Sequence, residues 1–271
     1  MNSLAAPGES GLSPTAIKNL SEEHKDELLA ILQRYWSGKD ANPEWNKSML
    51  RWIYKGKGKN SDPNNYRGIC LQDVVVRYLS SILSTRLLKM LEKEVLETPL
   101  GSQPGSGCRD ALFILRSLLQ VRRKHNLPSW ALFVDLEKAF DTVRHKLLSD
   151  LLETFGIPEG MIDVVRRLYK NMLLKLTSGS AKDTIPYSVG VKQGDAMAPV
   201  LFIVLMQAMA ETLEDEWKAA DIESVDLRHF KDTPKHRGRM HGHDWKAKGT
   251  TLKLDNILYY DDGVLPVSSY S

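Results

Sequence analysis

Cysteine is scarce in this chain, and the scarcity is informative. Cys70 and Cys108 are the two present among 271 residues, which allows at most one bridge and supplies no metal-ligand spacing. They read as ordinary thiols in a reducing compartment, so an intracellular setting, cytoplasm or nucleus, is expected. Long apolar runs are missing too. The longest, Pro199 to Ala210, is well short of the roughly 20 residues that span a bilayer, and no basic-then-apolar N-terminal tandem marks a signal peptide. No membrane partner is therefore expected. A large charge excess is also lacking, since 37 Lys and Arg stand against 34 Asp and Glu for a net charge of +3. No internal repeat or linker sequence is evident. What remains is a globular chain, 42% hydrophobic, long enough for about two domains and a sizeable core.

Distribution of charge says more than its sum. From Arg228 to Lys248 seven Lys and Arg face two Asp, with four histidines added. Such a patch suits phosphate contacts with counterion release, or a solvated insertion. His236, His241 and His243 have no acidic or Cys partners at a convincing spacing, which makes metal the weaker reading.

The densest chemistry lies near the C-terminus, in Tyr259-Tyr260-Asp261-Asp262-Gly263 between the apolar runs Ile257-Leu258 and Val264-Leu265. Asp-Gly between strand formers signals a hairpin turn. Two adjacent carboxylates there are either a solvated acidic turn or part of a divalent-metal site, because Mg²⁺ takes carboxylate oxygens together with substrate phosphates. A metal site needs a further carboxylate. Asp135 is the candidate, at the end of the apolar run Leu132-Phe133-Val134 and before a helical pattern. It could instead be the N-cap of that helix. A strand delivering one Asp beside a hairpin carrying two more is the layout of two-metal phosphoryl transfer. A third element, Gly190-Val191-Lys192-Gln193-Gly194-Asp195-Ala196-Met197-Ala198-Pro199, leads into the helix-like run Val200 to Leu213.

Together these segments resemble the reverse transcriptase domain of non-LTR (LINE-type) retrotransposons, from about Trp45 to Leu265. Asp135 with Phe140 five residues later is similar to the family's first catalytic motif, Gln193-Gly194 with Pro199 to its nucleotide-pocket motif, and Tyr259 to Asp262 to its aromatic-x-Asp-Asp box. Upstream, Lys55-Gly56-Lys57-Gly58-Lys59 and Asn65-Tyr66-Arg67-Gly68-Ile69 resemble the fingers hairpin, with Gly68 where the family usually has Pro. Gln103 to Ala111 resembles the Gln-x-Gly-Phe segment but is shorter and lacks the Phe.

The resemblance implies an RNA-directed DNA polymerase with an RNA template, a DNA primer and deoxynucleoside triphosphates as partners. Its cofactor would be Mg²⁺, with Mn²⁺ as the substitute. Asp135 and Asp261 would bridge the metals, the Leu136 carbonyl would add a ligand, and Asp262 would hold the primer-side metal more weakly. Lys55 and Arg67 would grip the triphosphate, with Lys57 or Lys59 able to replace Lys55. Phe140 would exclude a 2′-hydroxyl, and Gln193 and Gly194 would line the sugar and base pocket. Glu137, Asp141 and Asp195 read as capping or surface residues. An RNA-making polymerase is disfavoured by Phe140 and by Gln193-Gly194.

The implied fold is α+β: right-hand polymerase fingers and palm, an antiparallel palm sheet packed on helices, and no thumb. Residues 1–43 would be an N-terminal extension, disordered to about residue 14 and then helical from Ser21. Residues 44–128 would be fingers, and 129–271 palm, with about 145–190 partly fingers. Helices are expected at Tyr78–Val95, Asp110–Lys124, His145–Phe155 and Glu159–Met172, and strands near Leu173–Thr177 and Tyr187–Val191. Pro266 and the polar tail read as an interruption, and the chain ends nine residues past Asp262. That suggests a fingers-and-palm fragment. The alternative function is a catalytically inactive nucleic-acid-binding remnant of such an enzyme.

Overall fold

The computed structural model describes residues 6–40, 42–91, 107–178, 181–222, 225–229, 250–254, 257–259 and 262–267. They fall into two compact units, one drawn from Met1–Glu97 and Glu137–Ala208, the other from Thr98–Leu136 and Met209–Ser271.

In the first unit, local capping sets where helices begin. Ser13 and Ser21 each turn a hydroxyl onto a backbone N–H, opening α1 (Pro14–Lys18) and α2 (Glu22–Trp36). Residues 6–9 are not the loose tail their composition suggests. Arg77 donates to the Ala6 carbonyl at 2.8 Å, Glu9 ion-pairs with Lys175, and a Cβ on Gly8 would lie 2.5 Å from the Gln72 carbonyl oxygen. Specific polar contacts, invisible to composition, fix this segment.

Strands β1 (Lys47–Tyr54) and β2 (Tyr66–Gln72) form an antiparallel hairpin in register Tyr54↔Tyr66. Burial alternates over Lys47 to Leu50 and then stops, with Trp52 and Ile53 more than half exposed. The distal half of the hairpin thus leaves the core and carries its lysines into solvent. Helix α3 (Val74–Leu91) follows, with Leu79, Leu83, Leu87 and Leu91 buried at helical spacing. It starts earlier than the expected Tyr78.

Helices α4 (Cys108–Lys124), α6 (His145–Thr154) and α7 (Glu159–Tyr169) lie near the expected bounds, and β3 (Trp130–Asp135) and the short α5 (Ala139–Thr142) stand between α4 and α6. Strand β4 (Leu173–Ser178) pairs parallel with β1 and antiparallel with β5 (Ala181–Pro186), giving a sheet of order β2-β1-β4-β5. The expected strand at Tyr187–Val191 is instead an irregular connection with one bridge, Arg144↔Val189. Its amides leave the ladder: Gly190 N–H donates to Val143 O and Val191 N–H to Phe140 O, both at 2.7 Å. Helix α8 (Ala198–Ala219) buries Leu201, Phe202, Ile203 and Val204.

The second unit contains a sheet of order β3-β9-β8, formed with β8 (Ile257–Tyr259) and β9 (Asp262–Val267), and a ribbon of β6 (Val225–His229) with β7 (Thr250–Leu254). Ala111 and Leu118 of α4 pack on Ile257, with Val264 beside them. Pro266 is not an interruption, because it lies within β9 opposite Ala131. Among the described residues, pairing of β9 with β8 runs over 262–264. Cys70 and Cys108 are both free thiols. Among the described residues no helix is long and apolar enough to cross a membrane.

Leu83 is fully buried, so Leu83→Ala should cost about 2–5 kcal/mol of unfolding free energy. The expected sign in a urea titration is a lowered midpoint with unchanged slope.

Candidate active site

Asp135 is the last residue of β3, and in the antiparallel pair β3–β9 its Cα partner is Asp262. Residues so paired sit about 4.5–5.5 Å apart and share one face of a sheet. On the other side of β9, Asp262 pairs with Tyr259, and Asp262 and Gly263 are already strand. Tyr260 and Asp261 lie outside the described residues. Asp135 is exposed and does not cap a helix, since the N-cap of α5 is Lys138. Leu136 is the residue immediately beyond β3. Among the described residues no group of three or more His, Cys, Asp or Glu is placed to hold a metal.

The other predicted site residues lie in the first unit and are tied together there by backbone. Gln193 accepts from Cys70 N–H at 2.8 Å through its main-chain oxygen. Gly194, at φ +105°, approaches β2 so closely that a Cβ would meet Ile69 Cγ2 at 3.1 Å and the Cys70 oxygen at 3.2 Å. Glycine here admits β2, whereas the sequence suggested it admits a ligand. On its other side the loop is joined to Phe140 and Val143 by the two amide bonds given above, and His145 Nε2–H donates to the Gly190 oxygen at 2.8 Å. A side chain at Gly190 would collide with the Tyr187 hydroxyl. Phe140 is half-buried, and its ring stacks on buried Phe202 with centroids 4.6 Å apart and planes 15° apart.

The lysine-rich hairpin loop is ordered by its own polar groups. Asn65 Nδ2 donates to Lys59 O at 2.9 Å, Tyr54 OH to Gly58 O at 2.6 Å and Tyr66 OH to Asn60 O at 2.9 Å. Ile53 pairs with Arg67, and Lys55 N–H donates to Asn65 O. With a two-residue period this puts Lys55 and Arg67 diagonally on one face, about 7–8 Å apart at the backbone. Lys55 Nζ donates to the Asn64 oxygen at 2.9 Å.

One acidic residue differs from expectation. Asp195 is only 3% exposed, not at the surface, and faces the amide of Gln72; beside it lies Lys192, fully buried. Sequence reading passed over Lys192 and Gln72, although a lysine flanked by Val189, Val191 and Met197 was a signal. Asp141 is open to solvent as a whole residue, yet packing round its carboxyl pushes the pKa up, while Lys138 and then Lys55 pull it back. The basic stretch 228–248 and the segment from Gln103 to Ser106 lie outside the described residues, apart from the backbone of Arg228 and His229 in β6.

Residues 55–269 match the family model described as reverse transcriptase (RNA-dependent DNA polymerase). The chain belongs to the reverse transcriptase family. It is 30% identical over 216 residues to the Retrovirus-related Pol polyprotein from type-2 retrotransposable element R2DM of Drosophila melanogaster, covering 78% of this chain and 20% of that protein. A corresponding polyprotein of retrotransposable element R2 from Popillia japonica is 27% identical over 214 residues, covering 78% and 29%. The chain thus spans less than a third of these relatives. Their nature bears out the resemblance to non-LTR elements. Among solved structures, apo telomerase from Candida tropicalis truncated from its C-terminal domain superposes with a TM-score of 0.53 at 12% identity, over 90% of this chain and 49% of that one. Telomerase from the same organism in complex with a TWJ fragment of telomeric RNA gives 0.51 at 12% identity, over 83% and 36%. These likenesses bear out the mixed fingers-and-palm fold with its antiparallel sheet.

Two consequences are measurable. Gly194→Ala, at positive φ and against β2, should destabilise the chain by about 1–3 kcal/mol, read from denaturant midpoints. Lys55→Ala removes a cation that lowers the Asp141 pKa, so that pKa should rise further in a carboxyl NMR titration. A carboxyl whose folded pKa is raised stabilises the fold at low pH and loses that contribution as pH climbs through its folded pKa. The variant should therefore hold this contribution to a higher pH than wild type.

Proposed function

We propose that the chain is the catalytic part of an RNA-directed DNA polymerase, extending a DNA primer on an RNA template with deoxynucleoside triphosphates. Carrying this reading is the register that sets Asp135 opposite Asp262 at the end of β3, in a member of the reverse transcriptase family. Carboxylates and a main-chain carbonyl are the hard oxygen donors that Mg²⁺, or Mn²⁺ in its place, prefers. Asp135, Asp261, Asp262 and the Leu136 carbonyl would hold the metal pair. When bound, such ions lower the pKa of an attacking hydroxyl and neutralise charge on a leaving pyrophosphate.

The chain's own part is position and charge. Arg67 suits a bidentate grip on phosphate and Lys55 a point charge, and their shared face on the hairpin lets both reach one triphosphate. Phe140 cannot swing aside easily, since its ring is stacked on Phe202 and its carbonyl is held by Val191 N–H. A fixed ring against the sugar would clash with a 2′-hydroxyl, so deoxynucleotides are selected. Gln193 and Gly194 would border that pocket. The telomeric RNA fragment bound by the telomerase neighbour supports an RNA partner by analogy.

Primer extension tests the reading. Asp135→Asn and Asp262→Asn should each lower Mg²⁺-dependent extension at least about 10³-fold, as loss of several kcal/mol of transition-state charge stabilisation requires. Phe140→Ala should raise ribonucleotide relative to deoxynucleotide incorporation. Salt-sensitive RNA binding with no extension by the wild-type chain would favour the inactive binding remnant instead.

A further inference from the structure

The loop that carries Gln193 and Gly194 rests on an ionic cluster that the proposed chemistry does not use. Lys192 has no exposed surface, Asp195 is 3% exposed and Gln72 1%. A charged ammonium buried alone would be very costly, and here its surroundings offset that cost. Lys192 Nζ donates to the Leu168 carbonyl at 3.2 Å and lies 4.8 Å from the centroid of the Tyr169 ring. The Gln72 amide stands between the two charges. In the orientation that satisfies both its ends, its oxygen accepts from Lys192 Nζ at 2.9 Å and its nitrogen donates to Asp195 Oδ1 at 3.2 Å. Asp195 Oδ1 also takes Met197 N–H at 3.3 Å, at the start of α8. Burial holds the Lys192 pKa below the ordinary lysine range, against the opposing pull of Asp195 and then Cys70.

The topology of these contacts is specific. Lys192 and Asp195 flank Gln193 and Gly194 directly, and one end of β2 supplies both Gln72 and the Cys70 amide that binds the Gln193 oxygen. The cluster therefore joins the loop to β2 from beneath, while Leu168 joins it to α7.

We propose that Lys192 and Asp195, linked through Gln72, are positioning residues that hold the Gln193-Gly194 loop against β2 and so fix where the sugar and base of an incoming deoxynucleoside triphosphate are received. This rests on the polymerase reading for its substrate, though not for its structural part. Replacing a buried ionic set by neutral groups of similar volume often leaves stability nearly unchanged, so the paired variant Lys192→Met/Asp195→Asn is the main test. Lys192→Met alone leaves the Asp195 charge without its counter-ion and can fail to fold; the paired variant keeps the question answerable.

Two readouts are taken on the 271-residue chain. The first is hydrogen exchange at the Cys70 amide, with the amides of β4 as reference. The second is the KM for a deoxynucleoside triphosphate against kcat in primer extension. In the folded paired variant the Cys70 amide should exchange roughly tenfold faster while β4 is unmoved, and KM should rise by a larger factor than kcat falls. Leu152→Ala, a fully buried site in α6, should lower the denaturation midpoint without that local change. A folded paired variant with Cys70 exchange unchanged would overturn the proposal and reduce the cluster to core filling. Faster exchange in a chain that never extends a primer would uphold the latch and overturn the polymerase reading.

Discussion

The register of β3 against β9 is the constraint on which the candidate chemistry of the second unit depends. Side chains alternate faces with a period of two, so a slip of one residue would put Asp135 opposite a neighbour of Asp262 and place the two on opposite faces. Several features pin the register. Strand β9 is the middle strand, fixed by six pairs to β3 and three to β8. Packing of Ala111 and Leu118 on Ile257 and Val264 sets which face of the sheet turns toward α4, and a slip would break that contact as well.

In the first unit the corresponding device is a loop used as a strap. Between Gly190 and Asp195 the chain meets the Phe140–His145 segment on one side and β2 on the other, in each case through main-chain bonds. Main-chain bonds fix position independently of rotamers, at a modest net gain of about 1 kcal/mol each. The conformation that allows this is possible because residues 190 and 194 are glycines at φ +99° and +105°, values that other residues rarely adopt. Glycine thus serves two contacts at once, approach to the Asp141–Val143 backbone and approach to β2.

How much of this was legible in the sequence follows from the range of each signal. Periodic apolar spacing marked α3, α6, α7 and α8, and capping chemistry marked the start of α2, because those signals are local. Asp135, Asp262 and Gly194, the candidate site residues, were singled out from residue type and order alone. What escaped depends on where bonds go across the chain. Tyr187 to Val191 has the β-forming composition of a strand, yet its amides are claimed by Phe140 and Val143. Asp195 looks like a surface acid until Gln72, far away in sequence, is seen to bury it. Residues 6–9 look loose by composition but are held by Arg77 and Lys175.

Under the proposed reading, sugar discrimination would set a further demand that the Phe140–Phe202 stack suits. A gate must stay rigid on the scale of one hydroxyl, and a ring free to change rotamer would yield to the larger sugar at little cost. Stacked aromatic pairs contribute about 0.5–1.5 kcal/mol beyond the area they bury, and Phe202 is itself 1% exposed on a long helix whose neighbours Leu201 and Ile203 are equally buried. Displacing Phe140 therefore disturbs α8 as well as its own backbone bond to Val191. Since Val191 immediately precedes Lys192 and Gln193, the Phe140 ring, the loop and the buried charges beneath it are linked through consecutive residues, so under the proposed reading selectivity would depend on the packing of α8 as well as on the residues that meet a nucleotide.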